Sequence, residues 1–466
     1  MHGEVRTIRL WEMIHLGKGA PLLRQVIHAV ISIALRLFFR RIEVVGVEAV
    51  PHSGPLLFVL NHPNGLVDPA LVFVSLPRRV SFLAKSTLFD NAFGAFVLRT
   101  LEILPVHRMI DAGAKLESNF STFENCFELL RSGRCIAIFP EGVSHDEPQL
   151  QKIKTGAARI AFGAVSGPDP AIGLKIVPVG LYYTSKTSFR SEALIRYGEI
   201  FGVEPIELDA NGEPPRDAVA ALTTKIEDSL REVTLNVETG SELDEVLRAE
   251  ALFSSVFENL FFKQTLIHTL ERLQGLAAKY ALLERDDPQM MLELSTKVAR
   301  YETDLRSSGV TSESLSILHH PTWYVFRYLL LRIVVLMVLA PVAIVGAVIH
   351  SPAYLFSALI GRIFRTHDVD VAGSSSTIVA AIGLMPLTWG IVAAVLWCFS
   401  GWQIALISVP VTILCGYVAL RSSETLIDMR VWLRAAWLLL RRRALFLRLL
   451  IRRESLQREI RKVIEE

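Results

Sequence analysis

Residues 371–420 contain no Asp, Glu, Lys, Arg or His, and a Ser400-Gly401 pair interrupts their apolar run. One helix needs only about 20 residues to cross a hydrocarbon core, so an uncharged stretch of this length with a turn signal inside it predicts a membrane helical hairpin. A second uncharged run, 333–349, continues after His350-Ser351-Pro352 into 353–360. Arg327 and Arg332 precede these runs, and Arg362 and Arg365 follow them. Beyond the hairpin stand Arg421, Arg430, Arg434, Arg441, Arg442, Arg443, Arg448, Arg452 and Arg453. Basic residues favour the cytoplasmic side, which predicts an even number of crossings: two by the hairpin, with 327–365 either re-entering or crossing twice.

The other composition signals bound the rest. A chain of 466 residues exceeds one core and predicts two or three units. The hydrophobic fraction of 51% and the mean hydropathy of +0.39 are high for a soluble protein. A net charge of +2 implies no general attraction to nucleic acid. Cys126, Cys135, Cys398 and Cys415 lack metal-ligand spacing, so neither a zinc site nor a disulfide framework is expected, and no cofactor. Glu4, Arg6, Arg9, Glu12 and Lys18 break up the N-terminal stretch, so no cleaved signal peptide is expected.

Residues 22–39 are apolar but carry Arg24, His28 and Arg36. That pattern fits a helix lying in the membrane interface with its arginines snorkelling, or a core helix of a globular unit. From residue 42 to about 201, strand-like runs alternate with helical segments at 91–100, 112–131 and 154–165, Gly133 being placed to end the second. The fold class expected is α/β: a largely parallel central sheet flanked by helices, then a helical segment and a C-terminal α-helical membrane region. The boundaries expected are 1–41 interfacial helix, 42–236 α/β domain, 237–322 helical segment, 323–420 transmembrane or re-entrant helices, and 421–466 Arg-rich interfacial tail. The helical segment carries no recognisable chemistry and fits a solvated hairpin, a cover for the α/β domain or a subunit contact.

Polar motifs stand where the strand-like runs end. Run 55–60 leads into Asn61-His62-Pro63-Asn64-Gly65-Leu66-Val67-Asp68, and run 135–139 leads into Pro140-Glu141-Gly142. A histidine can take a proton from an alcohol while a nearby carboxylate fixes its tautomer and stabilises the imidazolium. Run 101–106 ends in His107-Arg108, a guanidinium where a strand hands over to a loop, which is a natural phosphate ligand. Run 174–179 leads into Tyr182-Tyr183.

These four blocks, in this order, resemble those of the phospholipid/glycerol acyltransferase superfamily. Five residues separate His62 from Asp68 where that family usually has four. The extra residue, and the continuation Val143-Ser144-His145-Asp146 to Lys154-Thr155-Gly156-Ala157, is similar to the membrane-bound fungal branch that acylates glycerol 3-phosphate or dihydroxyacetone phosphate. Lysophosphatidate acyltransferases usually place Thr-Arg-Ser after Glu-Gly; Ser144 stands here in place of that arginine. The resemblance covers residues 40–200. It continues through Phe189-Arg190-Ser191 and Tyr197-Gly198, and more loosely to Tyr301-Glu302-Thr303-Asp304-Leu305 and His367-Asp368-Val369-Asp370.

What the resemblance implies is transfer of a fatty acyl group from acyl-CoA or acyl carrier protein to a glycerol-phosphate hydroxyl, in phospholipid biosynthesis at a lipid bilayer. His62 would be the base and Asp68 its orienter. Arg108 would bind the acceptor phosphate, with Lys85 and Lys154 as weaker candidates because lysine supplies charge without a fork. Glu141 would hydrogen-bond the acceptor, Gly142 would permit close backbone approach, and His145 with Asp146 would form a supporting acid–base pair. The alternatives are a lysophosphatidate or other lysophospholipid acyltransferase, and a non-enzymatic membrane protein that keeps the fold. The catalytic domain is expected to face the cytoplasm, at a bacterial inner membrane or the endoplasmic reticulum.

Overall fold

The computed structural model describes residues 5–10, 12–13, 21–106, 116–166, 170, 172–210, 212–257, 264–311, 315, 322–365 and 373–465. The chain divides into two units, Met1–Asn236 with Gly361–Ile378, and Val237–Ile360 with Val379–Glu466.

In the first unit a sheet of nine strands among the described residues forms the centre. In chain order they are β1 Val5–Thr7, β2 Arg41–Val45, β3 Leu56–Leu60, β4 Val80–Lys85, β5 Leu104–Val106, β6 Cys135–Ile138, β7 Lys175–Tyr183, β8 Glu192–Tyr197 and β9 Phe201–Gly202. Strand β3 is Leu-Leu-Phe-Val-Leu and is buried at all five positions, as a central parallel strand covered on both faces must be. It pairs in parallel with β6 and β7; β4 continues from β6, and β5 from β4, also in parallel. On the other side β8 runs antiparallel to β7, and β2 and β1 follow it. The five parallel strands therefore end at one edge of the sheet, where the His62 and Glu141 motifs follow β3 and β6 and Tyr182-Tyr183 closes β7.

Helices α1 Leu22–Phe38, α2 Val67–Ser75, α3 Ala92–Thr100, α4 Leu116–Arg131, α5 Gly156–Val165 and α6 Arg216–Val233 flank the sheet. A core joins Ile136 and Ile176 of the sheet to Leu130, Ile160, Ile226 and Leu230 of α4, α5 and α6. Gly133 ends α4 as expected: at φ +74° its N–H donates to Leu130 O at 2.9 Å, and Arg134 N–H donates to Leu129 O at 3.0 Å.

Helix α1 inverts the usual soluble pattern. Arg24, His28, Ser32 and Leu35 are its buried face, whereas Leu22, Val26, Val30, Ile33 and Leu37 form an exposed apolar stripe. Arg24 does not snorkel. It is buried against the Phe73 ring of α2 and lies 3.0 Å from Glu102, because its own face of the helix packs on the domain.

The second unit is helical: α7 Gly240–Phe257, α8 Leu266–Asp286, α9 Pro288–Ser308, α10 Thr322–Arg365, α11 Gly373–Ser400, α12 Trp402–Arg441 and α13 Arg443–Glu465, of which α10 and α11 each lend an end to the first unit. Local rules bound α9. Asp287 accepts from Met290 N–H at 3.0 Å with Pro288 opening the helix, and Gly309 closes it at φ +65°. Neither α9 nor α13 is a solvated element. Val298, Tyr301 and Leu305 share one core with Ala435, Leu438, Phe446, Leu449, Leu456 and Ile460, so the middle segment and the Arg-rich tail cover each other's apolar faces. Arg453 is buried there at 1% exposure, where desolvation lowers its pKa.

Among the described residues three helices are long and apolar enough to cross a membrane, over Phe326–Ile363, Ser375–Ser400 and Trp402–Arg441. The break expected at His350-Ser351-Pro352 does not occur. Helix α10 runs through both Pro341 and Pro352, and His350 donates from Nδ1 to Gly346 O at 2.9 Å while Nε2 accepts from Trp389 Nε1 at 3.0 Å.

Candidate active site

Leaving β3, the chain turns through Asn61, which pairs with the backbone of β7 as a strand would: its Nδ2 donates to Leu181 O at 3.1 Å and its Oδ1 accepts from Leu181 N–H at 2.8 Å. The next residue is His62. The loop returns as the first turn of α2 and presents Asp68, which has no exposed surface, so that Asp68 Oδ2 lies 2.8 Å from His62 Nδ1. A carboxylate can only accept, which puts the imidazole proton on Nδ1 and leaves the lone pair on Nε2. Asn64 N–H also donates to Oδ2 at 2.7 Å, and Tyr183 OH donates to Oδ1 at 2.5 Å. A buried carboxylate is tolerated because each oxygen is hydrogen-bonded. Burial, together with the Asp68 charge, holds the Tyr183 phenol well above its ordinary pKa, so it stays a donor.

The loop after β6 supplies the second wall. Phe139 stacks on the His62 ring with centroids 4.0 Å apart and planes at 18°. Glu141 is where expectation and structure part. Its side chain has no exposed surface; Oε1 accepts from His62 N–H at 2.8 Å, and Oε2 accepts from Gln151 N–H at 2.9 Å and bonds His145 Nε2. The carboxylate therefore ties three loop segments together. The pair expected between His145 and Asp146 is absent: His145 pairs with Glu141, and the Asp146 carboxylate is 89% exposed, 3.5 Å from Lys186 Nζ. His145 N–H reaches back to His62 O at 3.3 Å.

Gly142 adopts φ +74°, and a Cβ there would lie 2.4 Å from Lys154 Nζ, so the Lys154 side chain passes over this glycine and into the neighbourhood of the Glu141 loop. Lys85 closes β4, separated from β3 by β6. Arg108, expected to follow β5, lies outside the described residues. The structure thus joins His62, Asp68 and Glu141 into one hydrogen-bonded network and sets Gly142 and Lys154 beside it. Tyr183 is the member of that network that the sequence reading did not select; its position at the end of a parallel strand was the available signal.

Two family models match the chain: "Acyltransferase" over residues 41–182, and "Glycerol-3-phosphate acyltransferase 2 C-terminal domain" over residues 263–466. Among curated proteins it is similar to glycerol-3-phosphate O-acyltransferase 2 of Saccharomyces cerevisiae, at 30% identity over 58% of this chain and 36% of that one. It is similar to glycerol-3-phosphate O-acyltransferase 1 of the same yeast at 27% identity, over 76% of this chain and 57% of that one. An uncharacterized acyltransferase of Schizosaccharomyces pombe matches at 22% identity, over 88% and 76%. The chain spans less than two thirds of the length of the two Saccharomyces proteins. The chain thus matches an acyltransferase domain followed by a glycerol-3-phosphate acyltransferase 2 C-terminal domain, and the curated proteins it is similar to include two glycerol-3-phosphate O-acyltransferases.

Proposed function

We propose that the protein transfers a fatty acyl group from a thioester, acyl-CoA or acyl carrier protein, to a hydroxyl of glycerol 3-phosphate or dihydroxyacetone phosphate. The observation that carries this reading is the His62–Asp68 pair, buried on the Asp68 side and 18% exposed on the His62 side. The chemistry follows from the tautomer. Nε2 of His62 takes the proton from the acceptor hydroxyl as its oxygen attacks the thioester carbonyl carbon. The imidazolium is stabilised by Asp68, the tetrahedral intermediate collapses, the C–S bond breaks, and the thiolate recovers the proton from Nε2. The acyl carbon is already activated, so the chain needs no nucleophile of its own.

A glycerol-phosphate acceptor is favoured over lysophosphatidate by what Ser144 does. It replaces the arginine that the resemblance places in lysophosphatidate acyltransferases, and its hydroxyl accepts from Gly65 N–H at 2.9 Å, holding the catalytic loop instead of offering charge to a ligand. Arg108 and Lys154 are the cations proposed for the acceptor phosphate. The bilayer reading draws on the three long apolar helices and on the outward stripe of α1, which would rest on lipid with the site opening beside it.

Purified protein given acyl-CoA and acyl carrier protein donors should acylate glycerol 3-phosphate or dihydroxyacetone phosphate. His62→Ala should lower turnover by about 100- to 10,000-fold. Acylation of lysophosphatidate alone would replace the acceptor in this reading; near-normal turnover of His62→Ala would remove the base.

A further inference from the structure

Helix α2 begins at a residue that cannot cap it. Its N-cap position is Leu66, which makes no side-chain hydrogen bond to the first turn, although unpaired N–H groups at a helix start are costly when buried. The oxygens come from Asp68 in its own first turn and from two serines elsewhere in the unit. Asn64 N–H donates to Asp68 Oδ2 at 2.7 Å, Gly65 N–H to Ser144 Oγ at 2.9 Å, and Leu66 N–H to Ser375 Oγ at 3.1 Å. The Ser375 hydroxyl donates back to Asn64 O at 3.4 Å. Ser375 is 1% exposed and stands 309 residues beyond Leu66 in sequence, at the start of α11, yet within the same structural unit.

We propose that Ser375 is a positioning residue for the His62–Asp68 pair, and that the start of the apolar hairpin is thereby part of the acyl-transfer machinery; this rests on His62 being the base. Residues 64–66 are the backbone between the two members of the pair, and a single hydroxyl holds that backbone at two points, the Asn64 carbonyl and the Leu66 amide. A serine at a helix start ordinarily caps its own helix; this one reaches instead to the loop that sets the distance between imidazole and carboxylate. Removing the hydroxyl takes the acceptor from the Leu66 N–H and the donor from the Asn64 carbonyl and frees the loop, and small displacements of a general base are expensive in rate.

The test compares Ser375→Ala with Ser375→Thr, which keeps a hydroxyl, in the full-length detergent-solubilised protein. Ser375→Ala should lower kcat by about 10- to 100-fold with KM for donor and acceptor within about twofold, and Ser375→Thr should recover at least half of the lost rate. Amide exchange in a peptide covering residues 61–67 should be faster in Ser375→Ala by about tenfold and restored in Ser375→Thr, a readout independent of any activity. Unchanged exchange, a normal kcat, or an effect confined to KM would overturn the proposal. So would a loss of rate that threonine does not restore. If exchange responds but no acyl transfer is found with the wild-type protein, the positioning contact stands and the acyltransferase reading is what has failed.

Discussion

Tyr183 does for Asp68 what Asp68 does for His62: it fixes a buried partner by one short hydrogen bond, at 2.5 Å against 2.8 Å. Removing it leaves one carboxylate oxygen without its donor in a site with no exposed surface. Tyr183→Phe should therefore cost about 1–3 kcal/mol of stability, read by chemical denaturation. It should also lower kcat with little change in the acceptor KM, because the phenol lies behind the carboxylate; a wild-type kcat would show that Asn64 N–H alone orients Asp68. His62, Asp68 and Glu141 could be found in the sequence because each sits in a short motif at a strand end, where the chain itself brings base and carboxylate together. Their roles were less legible. Nothing local in Glu141-Gly142 tells that the carboxylate turns inward to His62 N–H, nor that His145 rather than Asp146 is engaged. Tyr183 and Ser375 were harder still, since their partners lie 115 and 309 residues away and only tertiary packing chooses Tyr183 over Tyr182.

At the scale of elements, α1 is held to the catalytic domain by polar groups while its apolar stripe faces out. Arg190, which the sequence marked only as part of a block shared with the family, is what secures its end: at φ +65° its N–H donates to Phe38 O at 2.7 Å, and its Nη1 donates to Arg36 O, Leu37 O and Phe39 O at 3.1, 2.9 and 3.0 Å. A cation at a helix C-terminus also suits the helix dipole. The middle of α1 rests on His28, 5% exposed, its ring 4.9 Å from that of Phe73 in the helix that carries Asp68. Burial lowers the His28 pKa below its ordinary 6.5, with the nearby Arg24 charge adding to it. A depressed histidine contributes stability that is present above the unfolded value and lost as pH falls through the folded one. Thermal melts should thus weaken below about pH 6.5, by up to about 1.4 kcal/mol for each further pH unit until the folded pKa is reached. His28→Gln should flatten that slope; an unchanged slope would assign the acid sensitivity elsewhere. The apolar periodicity of α1 was plain in the sequence, but which face turns to solvent depends on Glu102 and Phe73, which no local pattern reveals.

For the whole molecule, the core of the second unit constrains how the chain can thread a bilayer. Val298, Tyr301 and Leu305 lie before the three apolar helices, Phe446, Leu449 and Ile460 lie after them, and all six pack in one core; Lys297 Nζ sits 3.0 Å from Glu459 across the same contact. Segments that share this core are expected on one side of a membrane, which makes an even number of crossings between α9 and α13 the expected topology. The arginine distribution leads to the same expectation, against three single crossings. Helices α11 and α12, joined at Gly401 with φ +86°, would supply two of these crossings as a hairpin. An even count would then have α10 cross either twice or not at all. At about 1.5 Å per residue it is far longer than a hydrocarbon core is thick, and it runs unbroken through Pro341 and Pro352, the positions at which a bend in the bilayer would be expected. Cysteines at Asp146→Cys, Thr303→Cys and Arg442→Cys should all react with an impermeant maleimide from one face of sealed vesicles, and Ser400→Cys from the other, in a chain carrying Cys398→Ser and Cys415→Ser. Cys126 and Cys135 need no replacement, since burial pushes their thiols up to about 12 and about 11 and keeps them unreactive. Labelling of positions 303 and 442 from opposite faces would mean three single crossings, and would separate in the membrane two helices that share a core here.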